Sequence, residues 1–88
     1  MRIEEKVPGG KLVCIDVEYS ESKLITIKIT GDFFLHPEET IDEIERALVG
    51  VDKNEIAKRV SEVLNKNNAQ LIGVSPEDIE RLVKKAIE

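Results

Sequence analysis

The chain is poor in the residue types from which reactive sites are usually built. Its 88 residues include one cysteine, one histidine, one tyrosine, two phenylalanines and no tryptophan. A lone Cys14 excludes an internal disulfide and a dithiol redox pair. It lies within an apolar strand pattern, with no cationic neighbour or helix N-terminus to activate a thiolate, and reads as a small apolar filler. His36 has no Cys or His partner at ligand spacing, which argues against a metal site. It precedes Pro37, which places it at the cap of the first helix, and general acid–base work is the lesser alternative for it. No apolar run approaches the ~20 residues of a membrane span. The opening "MRIEEKVPGG" has no apolar signal core, so a cytoplasmic protein is expected. A basic stripe is also missing, and the formal net charge is −5. Nucleic acid and anionic membrane are therefore excluded as main partners, and free ATP would meet a weakly repulsive surface.

With 41% hydrophobic and 35% charged residues, the chain suits one globular domain over 1–88 and not a disordered segment. Aromatics are only 3%, so the core must be built from Ile, Val and Leu. "KLVCIDVEY" alternates, with Val13, Ile15, Val17 and Tyr19 on one side, and predicts a half-buried strand. "SES" at 20–22 is of hairpin length. "KLITIKITGD" alternates again and predicts Ile25, Ile27 and Ile29 facing inward, with Thr26, Lys28 and Thr30 outward. "RIEEKV" offers a third strand. "NAQLIGV" at 68–74 is open between a short edge strand and a loop.

Three helices are predicted after the hairpin. The first opens at Pro37 with Glu38 and Glu39 in its first turn, buries Ile41, Ile44 and Leu48, and stops at Gly50. The second starts at Asp52, with Glu55 completing a capping box, and buries Ile56, Val60, Val63 and Leu64 until "NKNN" ends it. The third starts at Ser75-Pro76 and buries Ile79, Leu82, Val83 and Ala86. The expected fold class is α+β: a small antiparallel sheet of two to three strands, then three helices packed on one face.

Motif by motif, chemistry is hard to find. Pro8-Gly9-Gly10-Lys11 is a tight turn before a strand and not a phosphate loop, which needs a longer Gly-rich run at the mouth of a helix. The acids Glu38, Glu39, Asp42, Glu43 and Glu45 read mainly as a solvated helix face. Phe33 and Phe34 are the anomaly. Adjacent strand residues point to opposite faces, so one strand cannot bury both rings. Continued register puts Phe33 in the core and Phe34 outside, and a bulge at Gly31 would exchange them. The other arrangement ends the strand at Asp32 and tucks both rings under the first helix. An exposed ring would serve as an anchor for a partner.

"PGGKLV", "VCIDVEYSESKLITIKITGDFFLHPEETIDEIERALVGV" and "IGVSPEDIERLVKKAI" together resemble the accessory domain of lipoate–protein ligases, over nearly the whole chain. The most specific element is Gly31-Asp32-Phe33-Phe34 after a strand, followed by an acidic helix ending "ALVG". The short length and Met1 start are similar to the separate small subunit of two-chain archaeal ligases. In single-chain bacterial enzymes the same domain lies at the C-terminus. The resemblance implies a complex that uses ATP, magnesium and lipoate, none of them bound by this chain alone. The large catalytic subunit would hold the pocket and the catalytic lysine, make lipoyl-AMP, and pass the lipoyl group to a lysine of an acceptor protein. The accessory domain would be needed for adenylation without supplying a nucleophile. It also implies a fold similar to iron–sulphur scaffold proteins, although a single Cys14 argues against cluster assembly. Gly31, Asp32, Phe33 and Phe34, with Pro8, Gly9, Gly10 and Lys11, are the candidate contacts to the catalytic subunit. The alternative function is a free-standing interaction or scaffold module unrelated to lipoate. An independent small enzyme would need a catalytic set not found in the residues.

Overall fold

In the computed structural model, which describes residues 1–88, strands β1 (Arg2–Lys6), β2 (Leu12–Ser20) and β3 (Lys23–Gly31) form an antiparallel sheet in that order. Strand β4 (Phe34–His36) and helices α1 (Thr40–Leu48) and α2 (Ile56–Lys66) follow, then strand β5 (Gln70–Ile72) and helix α3 (Pro76–Ile87). The segment left open between strand and loop is thus a strand, and it pairs antiparallel with β4 in a second, two-stranded sheet. Helix α3 packs on β1 and β2, α1 packs on β3, and α2 packs against both helices. Val13, Ile15 and Val17 of β2, Ile44 and Leu48 of α1, Ile56 and Val60 of α2, and Leu82 and Val83 of α3 are almost wholly buried in one apolar cluster. The α+β class expected from the sequence is the one observed.

Four local expectations are corrected. Ile25 is 49% exposed and Leu24 takes the core position in its place. The register shifts between Glu18 and Tyr19, so Tyr19 faces Leu24 and the alternation of β3 slips by one residue. Helix α1 begins at Thr40 and not at Pro37, because the amides of Thr40, Ile41 and Asp42 bond to the carbonyls of Pro37, Glu38 and Glu39 in a tighter i→i+3 turn. His36 is consequently the last residue of β4 and caps nothing. Asp52 does not start α2: its Oδ1 accepts the Asn54 amide in a local turn, and Glu55 makes no capping bond with its side chain.

The N-terminus of α2 is served from another helix. Glu80 Oε1 on α3 accepts the Ala57 amide at 2.9 Å, while Lys84 pairs with Oε2. Helix α3 is capped as expected at Ser75, whose hydroxyl accepts the Asp78 amide while the Asp78 carboxylate accepts the Ser75 amide. Glu45 departs from the solvated-face reading. Its Oε2 accepts the Ile29 amide at 2.8 Å, on the side of β3 that no strand covers. Strand β1 is tied to α3 by Glu5, which receives Arg81 at 2.7 Å and Lys85 at 2.8 Å.

These contacts generate three predictions. Glu80→Ala removes the cap of α2 and is expected to cost about 1 kcal/mol in denaturant unfolding at pH 7. The carboxyl of Glu80 is held below its ordinary value chiefly by the Ala57 amide, and that of Glu5 by Lys85 and then Arg81. A lowered folded-state pKa contributes stability that is whole above the unfolded value, near 4.5 for glutamate. It is lost as pH falls through the folded value. Thermal melting should therefore be nearly flat from neutral pH down to about 5 and fall below about 4.5, with a shallower fall in Glu80→Ala. Finally, Gly31 sits at φ +150° where a Cβ would run into the Leu12 carbonyl. Gly31→Ala is expected to destabilise by about 2–3 kcal/mol by the same measurement.

Candidate functional site

The two candidate stretches, far apart in sequence, meet at one end of the fold. Strand pairing sets Gly31 opposite Val13, and the Asp32 amide donates to the Leu12 carbonyl at 2.9 Å. The Pro8-Gly9-Gly10-Lys11 turn leads directly into that part of β2. It is closed by the Val7 amide on the Lys11 carbonyl and the Gly10 amide on the Val7 carbonyl, both 2.9 Å. Gly9 and Gly10 hold φ +100° and +83°, a left-handed pair that glycine adopts without steric penalty. Lys11 lies over Gly73, where an added Cβ would come within 3.0 Å of Lys11 Cγ and 3.5 Å of Phe33 Cα. Turn, strand crossing and the chain after β5 therefore form one packed corner.

Phe33 and Phe34 part company at this corner. Phe33 is half-buried against the core, whereas Phe34 is 53% exposed. The arrangement with both rings tucked under α1 is not the observed one. Alternation along β4 buries Leu35 and sends Phe34 and His36 to the open face. Their rings stack nearly parallel, 7° apart in plane with centroids 6.3 Å apart. Across the strand pair, Phe34 faces Ile72, itself 53% exposed. The result is an exposed apolar patch on the outer face of the β4–β5 sheet.

On its other side Phe34 borders an open groove of about 290 Å³ between the end of β3, β4 and the first turn of α1. Ile29, Phe33, Leu35 and Ile41 supply the remaining apolar lining, and Glu38 stands in the wall. From Ile29 to Glu45 the chain contains six acidic residues and no lysine or arginine. Glu43 is paired to Lys66 and Glu45 to Lys28, while Asp32, Glu38, Glu39 and Asp42 have no ion partner. The site is thus an open apolar groove with an anionic border. Cys14 lies elsewhere, buried in mid-strand between Glu4 and Thr30. No helix is long and apolar enough to cross a membrane.

Sequence reasoning picked out the ring at the centre of this surface but missed Ile72, His36, Glu38 and Ile41 around it. Ile72 had a signal in the apolar "LI" of residues 71–72, yet its partner strand was not deducible from alternation over three residues.

The family described as the bacterial lipoate protein ligase C-terminus matches residues 1–83. A search of curated proteins finds no significant match. Among solved structures, a chain from an archaeal lipoylation system of Thermoplasma acidophilum, comprising a bi-partite lipoate protein ligase and its E2 lipoyl domain, shares 25% identity with a TM-score of 0.75. The superposition covers 93% of this chain and 96% of that one, so the two folds correspond nearly end to end. With its profile matched across almost every residue and its architecture shared, this chain belongs to the lipoate protein ligase C-terminal domain family.

Proposed function

We propose that this protein is the non-catalytic accessory subunit of a lipoate–protein ligase, docking on a separate catalytic chain and required for ATP-dependent activation of lipoate to lipoyl-AMP. The observation that carries the reading is the nearly end-to-end correspondence with a chain of a bi-partite lipoate protein ligase system, joined to a family match over residues 1–83. The corner containing Gly31, Asp32, Phe33 and Phe34 with Pro8, Gly9, Gly10 and Lys11 is the proposed docking region. An exposed aromatic ring set in an apolar patch is the kind of residue on which association energy concentrates.

In this reading ATP, magnesium and lipoate belong to the catalytic chain, which transfers the lipoyl group onward to a lysine of an acceptor protein. The accessory chain acts by contact. Seated over the pocket, it holds the catalytic chain's loops in reactive geometry and keeps water from the adenylate. Its acidic surface suits a body that binds another protein and leaves the anionic nucleotide to its partner.

The test is lipoate-dependent ATP–pyrophosphate exchange with the purified catalytic chain, measured with and without this protein. Exchange is expected to rise by about two orders of magnitude or more on its addition, as for completion of an active-site constellation. Equal exchange by the catalytic chain alone would refute the accessory role.

A further inference from the structure

We infer that the groove between the end of β3, β4 and the first turn of α1 receives an apolar side chain of the catalytic ligase chain, flanked there by lysine or arginine. This rests on the accessory-subunit reading and adds the place and the chemistry of the contact. Buried Ile29 and Leu35 form the base of the groove, Ile41 and half-buried Phe33 its sides, and exposed Phe34 its lip.

Size and charge select the occupant. Pockets for small organic ligands span about 300–1,000 Å³ and enclose most of the ligand, whereas this groove is about 290 Å³ and open. At the small end of that range and open to solvent, it would enclose little of a nucleotide and suits one or two side chains. The ligase substrates are also the wrong sign. ATP and the lipoate carboxylate would both face Glu38, with Asp32 between the lining residues Gly31 and Phe33.

Neither acid has an ion partner within the fold, and the stretch from Ile29 to Glu45 that builds this side of the groove contains no lysine or arginine. A cation on the partner supplies what Glu38 and Asp32 lack, steering the encounter and fixing register. The groove is also preformed. Gly31 is packed against the Leu12 carbonyl and Gly73 against Lys11 and Phe33, so little chain must be ordered on docking.

The experiment measures the affinity of the purified catalytic chain for this protein by titration calorimetry. Phe34→Ala and Glu38→Lys alter exposed side chains, so both variants are expected to melt like the wild type. Each should weaken binding by about tenfold or more. Glu21→Lys, the same charge change at the far hairpin turn, should stay within about twofold. Wild-type affinity should fall as salt rises from about 50 to about 500 mM, and Glu38→Gln should flatten that dependence.

Wild-type binding with Phe34→Ala and Glu38→Lys both within about twofold of it would overturn the groove assignment and leave the accessory role standing. No wild-type binding and no gain in pyrophosphate exchange would overturn both. A self-associating chain made monomeric by Phe34→Ala would show the groove filled by a second copy, and lipoate binding to the isolated chain lost in that variant would show a substrate site. Either result also overturns the inference.

Discussion

The free side of β3 is the constraint on which the rest of the molecule depends. Strand β3 has nine residues and only one strand neighbour, so its outward amides and carbonyls must find partners elsewhere or remain a template for unwanted pairing. The chain solves this with what comes next in sequence. Glu45 of α1 accepts the Ile29 amide, and the loop after α1 exchanges two bonds with Leu24, its amide to the Val51 carbonyl and its carbonyl from the Gly50 amide at 2.6 Å. Two anchor points near the ends of β3 leave α1 no freedom to slide. Ile44 and Leu48 are thereby set into the core, and the first turn of the helix is set against the end of β3.

The groove follows from that placement. With α1 fixed, Glu38 and Ile41 come to one side of a cleft whose other sides are the last residues of β3 and the short strand β4. Strand β4 in turn depends on β5, which reaches it only after two helices have intervened. An apolar patch therefore stands on a hydrogen-bonded platform and not on a loop, which holds an anchor residue such as Phe34 in one position. Its exposure is unusual in a chain with so few aromatics, and the docking proposed above gives that exposure a physical purpose.

The distribution of charge gives the same division of labour. Three acids at the β1–α3 seam and the start of α2 are neutralised within the fold: Glu5 by Arg81 and Lys85, Glu80 by Lys84 and the Ala57 amide, Asp78 by Arg81 and its own cap. Beside the groove, Asp32 and Glu38 have no ion partner. In the accessory-subunit reading proposed above, the catalytic chain performs the chemistry, so this chain has no need to attract nucleotide itself. It does need to find and hold one protein surface, for which unpaired charge around an apolar centre is well suited.

Strand alternation, helix stripes and the Ser75–Asp78 cap were legible in the sequence because each is a short-range pattern: period two for β2, period 3.6 for α3, a hydroxyl three residues from its amide. Alternation raised the question of Phe33 and Phe34 but left it open, because β3 ends at Gly31 and it is the separate strand β4 that turns Phe34 outward. The slip that exposes Ile25 was not legible, since a bulge depends on how Glu18 and Tyr19 meet the facing strand. Nor was the capping of α2 by Glu80, twenty-three residues from Ala57, or the use of Glu45 to cover β3. Both are bonds between elements whose distance apart only the packed core determines. The candidate site shows the same split. The local sequence marked the Phe33–Phe34 pair as the place to look, whereas which ring is exposed, and the company of Ile72, Glu38 and Ile41, were decided only when β4 found β5 and α1 was fixed along β3.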